Sequence, residues 1–295
     1  MITVNSIAHA AFETSDLERK IDHFTNVLGL KVVSRDKDTC YLTCPLDERS
    51  IVLNASSRSR CSQLGFYIPA DAELADFAKQ ISGHGIEADI KSDAMPGVPR
   101  LLSFEDTNGT RINVFPDEKR AVPSSRPNGV SALRLGHIAF IAPDVGGVVD
   151  FYCKVLGFKF SDSIEDWFVW LRCSPDHHTV NFIRGNTTKM HHLAFEVKDW
   201  GQLQLACDFL SKNGFPTVWG PGRHGCGHNL FAYHRDPDGQ IIELFTELDQ
   251  MRDDLGCYEP RPWHRERPQK PKVWPADSAA SNLWGPMPPS DFLQG

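Results

Sequence analysis

Two histidines and a glutamate set in apolar, strand-like segments are the residues of this sequence best suited to chemistry. Glu243 lies in IIELF, His137 in LGHIAFIA and His192 in MHHLAFEV. A carboxylate inside an apolar strand needs a partner, because burying it unpaired costs several kcal/mol. A metal, a histidine or an arginine can each serve, and Glu243 alone does not choose between them. Two imidazoles and a carboxylate together suit a divalent cation such as Fe(II) and leave positions open for reactants. A structural zinc site fits less well, since a closed site normally takes four protein ligands and no fourth is evident. Each histidine taken singly reads equally well as a core residue hydrogen-bonded to backbone. His191, beside His192, is expected to point outward: neighbouring strand residues face opposite sides, so the two cannot hold one ion.

An internal repeat is what brings the three together. LGHIAFIAPDVGGVVDFYCKVLGFKF, at 135–160, matches IAHAAFETSDLERKIDHFTNVLGLKV near the beginning and places His9 on His137, 128 residues on. QLGFYI at Gln63 matches HLAFEV at His192, an offset of 129, and FEDTNGTRINVF at Phe104 matches HRDPDGQIIELF at His234, an offset of 130. In the first copy a strand is followed by Leu17, Ile21, Phe24, Val27 and Leu28 at helical spacing, closed by Gly29. KVVSR, TCYLTC and SIVLNA then read as short strands. Duplication of this pattern predicts four βαβββ units, an α+β fold of two tandem two-unit domains. The expected divisions are a degenerate pair at 1–120 without a metal site, a Pro-, Ser- and Gly-bearing linker at 121–132, a catalytic pair at 133–250 and a tail at 251–295. At equivalent positions the first pair offers His9, Gln63 and Asn113, so only the second keeps the full set. The turn Asp236-Pro237-Asp238-Gly239 joins strands at 229–234 and 240–246, and this hairpin holds Tyr233 and Glu243 on rigid backbone.

Composition narrows the function classes. A formal charge of -7 argues against nucleic acid as a partner. The start has no basic segment leading into an apolar core, and no apolar run is long enough to span a bilayer, so a cytoplasmic protein is expected. Eight cysteines without a secretory signal read as free thiols. The tail, with EPRPWHRERPQKPKVW and NLWGPMPP, should hold little helix or sheet; its aromatics suit a strap packed on the second domain or on a neighbouring subunit.

These segments resemble a type I extradiol ring-cleavage dioxygenase of the vicinal oxygen chelate superfamily, nearest the homoprotocatechuate and catechol 2,3-dioxygenase-like branch, over both domains. GRHGCGHNLFAYHRDPDGQIIE is close to the family signature of glycine, any residue, histidine, a spacer, an apolar residue, tyrosine, Asp-Pro-x-Gly and glutamate. Ala232 departs from it where a larger apolar residue is usual, a packing change. The resemblance implies Fe(II), in some members Mn(II), held by His137, His192 and Glu243, with O2 as co-substrate. It places the acid-base histidine on His178 in DHHTVNF, the alternative register falling on His177, and substrate hydrogen-bonding groups on His224 and Tyr233. Trp170 falls on an active-site tryptophan of that branch, although a core aromatic is an equal reading. Trp219 stands where the branch carries a basic residue for the substrate carboxylate, which points toward a catechol with an apolar or aromatic substituent. Arg223, Arg184 or a basic residue of the tail is the alternative partner for a carboxylate.

The implied reaction is extradiol (meta) cleavage of a substituted catechol by O2, giving a ring-opened hydroxymuconic semialdehyde-type product, in a homo-oligomer such as a tetramer. One rival is a metal-dependent isomerase or other Lewis-acid enzyme of the same superfamily, which would not require His178, His224 and Tyr233 together. A non-catalytic small-molecule-binding protein is another, and the complete His-His-Glu set argues against it.

Overall fold

A computed structural model describes residues 1–47, 50–117 and 128–294. Most of the expected linker, residues 121–127, lies outside the described residues.

The chain runs through strand, helix and three strands four times. The first unit is β1 (Ser6–Thr14), α1 (Leu17–Asp22), β2 (Lys31–Arg35), β3 (Thr39–Thr43) and β4 (Ile51–Ala55); the second is β5 (Arg60–Ile68), α2 (Leu74–Ser82), β6 (Asp89–Met95), β7 (Val98–Glu105) and β8 (Arg111–Pro116). The third is β9 (Arg134–Ala142), α3 (Val145–Phe151), β10 (Lys159–Ile164), β11 (Phe168–Arg172) and β12 (Val180–Arg184). The fourth is β13 (Lys189–Glu196), α4 (Trp200–Lys212), β14 (Trp219–Arg223), β15 (Leu230–Arg235) and β16 (Ile241–Thr246). This is the α+β architecture that the repeat predicts.

Local chemistry explains the boundaries. Asp16 caps α1 by accepting from the Arg19 amide, and Asp199 caps α4 by accepting from Gln202, each satisfying a helix-start amide that has no internal partner. Both longer helices bury one stripe: Leu74, Phe77 and Ile81 on α2, and Leu203, Ala206 and Leu210 on α4, the spacing that keeps apolar residues on one face. In the Asp236–Gly239 turn Asp236 Oδ1 accepts from the amides of Asp238 and Gln240, and Gly239 takes φ +79°. Glycine enters that left-handed region without a Cβ clash. One strand was not legible: β6, DIKSDAM, is exposed at all but its last residue, so it has no apolar alternation to betray it.

Contacts divide the chain into two units. The first comprises 1–135 with 146–158 and holds a sheet in the order β2-β3-β4-β1-β5-β8-β7-β6. The helical segment after β9 therefore belongs to it, where Tyr152 donates to Asp106 at 3.1 Å and packs edge-on to Phe66 and Phe158. The second unit comprises 136–145 and the chain from Lys159 on. Its sheet runs β14-β15-β16-β13-β9-β12-β11-β10, extended at one edge by a strand of the tail at Lys272–Trp274. The tail forms β17 (Met251–Arg252), β18 (Cys257–Tyr258), β19 (Lys272–Trp274), the single turn α5 (Ser278–Ser281) and a 3-10 turn at Phe292–Gln294. All eight cysteines are free. No helix among the described residues is long and apolar enough to cross a membrane.

Candidate metal centre and its cavity

His137, His192 and Glu243 stand on β9, β13 and β16, three strands side by side in the second unit's sheet. Their burial is nearly complete, at 1%, 4% and 1% exposure. β13 and β16 run parallel with Ala194 opposite Glu243. The first unit repeats that register with Gly65 opposite Asn113, so the same pairing there presents an amide. His137 Nε2 lies 3.0 Å from Glu243 Oε2, and His192 Nε2 lies 3.3 Å from the same oxygen. Each of the three offers a donor atom within 4.8 Å of the others. His192 Nε2 is buried and makes no aligned hydrogen bond. An orphaned imidazole lone pair aimed at a carboxylate fits a shared cation, and the donor set is that of a divalent metal with open positions. Glu243 Oε1 accepts from Asn229 Nδ2 at 2.9 Å, which fixes the carboxylate's orientation. Burial alone would raise the Glu243 carboxyl; the His137 and His192 rings outweigh it and hold it well below the usual carboxylate range.

The other expected site residues gather around these. His178, just before β12, lies with its ring 4.1 Å from that of His137, and burial followed by the neighbouring histidines pushes its pKa well below the ordinary value. Tyr233 is paired directly with Glu243 across β15 and β16. His224 Nδ1 donates to the Ser281 carbonyl at 2.6 Å, so Nε2 is left to accept from the Tyr233 hydroxyl at 3.0 Å. Burial lowers His224 to about 4 and carries the Tyr233 phenol well up, with Glu243 adding to the latter.

All six border a cavity of about 390 Å3. One wall is Ile164, Trp167, Phe168, Trp170, Cys226 and Ala280, with Phe168 stacked on Trp170 at 3.8 Å. Trp219 lies on the other side, stacked with Tyr233 and donating from Nε1 to the Pro286 carbonyl. Among the described lining residues there is no lysine or arginine, and the acidic ones are Glu243 and Asp277. The tail supplies residues 276–278, 280, 281, 287, 288, 292 and 293 to the lining.

Two expectations need correction. Arg223 does not border the cavity: it donates to Glu247 at 2.7 Å and to the His228 carbonyl, and its guanidinium lies 4.1 Å from the Trp263 ring centre. A carboxylate and an aromatic face on the strand's other side claim it first. His191 does not point outward but is 2% exposed, bonded through Nε2 to the Phe292 carbonyl and through Nδ1 to His192 Nδ1 at 2.8 Å. Strand alternation separates the two side chains from one ion, but the tail buries the face that alternation alone leaves to solvent.

Sequence reasoning missed Asn229, Trp167, Phe168 and the Ser281 carbonyl. An asparagine or a backbone oxygen carries no signature by itself; Asn229 was reachable only through its place inside the His224–Glu243 motif.

Residues 134–244 match the model of the Glyoxalase/Bleomycin resistance protein/Dioxygenase superfamily. Metapyrocatechase 2 of Cupriavidus necator is 27% identical to the chain, over 99% of it and 92% of the relative. A manganese-dependent 2,3-dihydroxybiphenyl 1,2-dioxygenase of Geobacillus genomosp. 3 is 24% identical over 92% and 93%. The crystal structure of a Mn(II)-bound glyoxalase from Novosphingobium aromaticivorans aligns with a TM-score of 0.85 at 22% identity, covering 97% of this chain and 92% of that one, a likeness of fold. By the match at 134–244, by relatives aligned along nearly its whole length and by its βαβββ architecture, the chain is similar to the glyoxalase, bleomycin resistance protein and dioxygenase superfamily and has the vicinal oxygen chelate fold.

Proposed function

We propose that the chain cleaves a substituted catechol beside its two hydroxyls, using O2 and a non-heme Fe(II) held by His137, His192 and Glu243. The observation that carries this reading is the buried His-His-Glu set opening onto a cavity bordered by His178 and by the His224–Tyr233 pair. Relatives named for catechol and dihydroxybiphenyl cleavage support it. When bound there, the metal supplies a Lewis-acidic, redox-active centre that favours deprotonation of the catechol and couples it to O2.

The chain's own residues do the rest. His178, neutral because it is buried, takes a proton from a catechol hydroxyl and returns one later. The Tyr233 phenol is kept protonated and has one hydrogen, which turns from His224 Nε2 to the substrate oxygen where negative charge collects. Trp167, Phe168, Trp170 and Ile164 exclude water and receive the substituent of the ring. A carboxylated side chain would meet Asp277 and no cation among the described lining residues, so the fitting substrate bears an uncharged apolar or aromatic substituent. The product is a hydroxymuconic semialdehyde-type acid carrying both atoms of O2.

Oxygen uptake by anaerobically prepared, Fe(II)-loaded protein across a catechol panel tests this, with absorbance followed for a yellow product. Stoichiometric uptake, strongest with alkyl- or aryl-catechols and absent in Glu243→Ala, is expected. Tight metal without uptake on any catechol would replace the reading with Lewis-acid chemistry, and reloading with Mn(II) decides which ion sustains turnover.

A further inference from the structure

Behind His178 stands a buried chain of hydrogen bonds. His178 Nδ1 faces His177 Nδ1 at 2.9 Å, and His177 Nε2 faces Asp162 Oδ2 at 3.1 Å. His177 is fully buried, Asp162 is 1% exposed and His178 3%. Asp162 also accepts from Trp274 Nε1 at 2.9 Å and from the Lys272 amide at 2.8 Å, both from the tail. The carboxylate therefore takes three hydrogen bonds while sitting on β10, inside the sheet.

A carboxylate only accepts, so His177 must carry its proton on Nε2. A neutral imidazole then has a bare Nδ1, and the nitrogen 2.9 Å from it has to donate. That assigns the His178 proton to Nδ1 and leaves its Nε2 bare. Resting on the reading of His178 as the proton acceptor, we propose that Asp162 and His177 are positioning residues that hold His178 in the one tautomer able to act as a base through Nε2. When the substrate O–H bond breaks and an N–H bond forms at Nε2, the positive charge is shared across the Nδ1 pair with His177 and balanced by Asp162. The chain thus does for His178 what a buried carboxylate does for the histidine of a hydrolase triad. It also explains why two adjacent histidines are both buried here: they act in series.

Two measurements test this. In metal-free protein labelled with 15N-histidine, NMR reports which ring nitrogen of His178 is protonated, with His178→Gln assigning the signal. The expected result is a pyrrole-type Nδ1 and a pyridine-type Nε2, with the single tautomer lost in Asp162→Leu. In the Fe(II)-loaded enzyme, Asp162→Leu and His177→Phe are each expected to lower kcat on the order of 10²-fold with metal content near native, and His177→Phe, which leaves the bonds from Asp162 to the tail in place, keeps the KM for catechol near native. A proton on Nε2 in the native protein, or native kcat in both variants, overturns the proposal, as does a parallel loss of metal, KM and kcat, which marks a structural role. The NMR result stands whether or not the protein cleaves catechols, so failure of the proposed reaction is told apart from failure of the relay.

Discussion

Glu243 is a buried acid whose environment must supply everything water would, and its neighbours divide that work between its two oxygens. Oε2 faces two imidazoles and Oε1 one amide. Asn229→Ala leaves Oε1 without its donor, a loss of about 1–3 kcal/mol in fold stability. It should also weaken Fe(II) binding by roughly 10–100-fold, as read from metal titration. Tyr233→Phe keeps the ring stacked on Trp219 but removes the hydroxyl bonded to His224. A fall of about 10–10²-fold in kcat is expected, with metal content native, in oxygen-uptake kinetics. The candidate metal set was legible because the repeat set His137, His192 and Glu243 against His9, Gln63 and Asn113, and a carboxylate within IIELF needed explaining. Asp162 was not legible: KFSDSI reads as an ordinary edge segment, and the reason for a buried acid there lies 110 residues away, in the amide of Lys272.

Single elements carry function that no one residue announces. β15 and β16 were readable from their turn, and their register alone sets Tyr233 against Glu243. The tail was harder, because prolines at 271 and 275 suggest no strand, yet the three residues between Pro271 and Pro275 are enough to add β19 alongside β10. What anchors the tail is His264, whose Nε2 lies 2.8 Å from Asp249 Oδ1, while His228 Nδ1 lies 2.7 Å from the other oxygen. Those spacings are hydrogen-bond lengths, and the two rings hold Asp249 below the usual carboxylate range despite its burial. His264→Ala should cost about 1–3 kcal/mol and speed proteolysis within 265–294, both measurable without metal. Because that stretch supplies part of the cavity wall, the KM for an aryl-catechol should rise while metal content stays native.

At the scale of the whole molecule, the repeat made the architecture readable, and the buried histidines make the fold sensitive to acid. Burial pushes His234 on β15 down to about 3, and pushes His224 to about 4. In the unfolded chain a histidine titrates near 6.5. As pH falls below that value the unfolded state takes up protons that the folded state refuses, so stability drops by up to about 1.4 kcal/mol per pH unit for each such histidine. The stabilisation is complete above pH ~6.5 and is lost progressively toward the folded-state values. Denaturant unfolding of the metal-free protein should therefore show a midpoint that falls steadily from pH 7 to pH 4.5. His234→Leu removes one of these groups without touching the cavity, where His234 has no part. It should flatten that slope while leaving metal binding at pH 7 unchanged. An undiminished slope in the variant would mean that His234 is protonated inside the fold, and that burial on β15 does not exclude its charge.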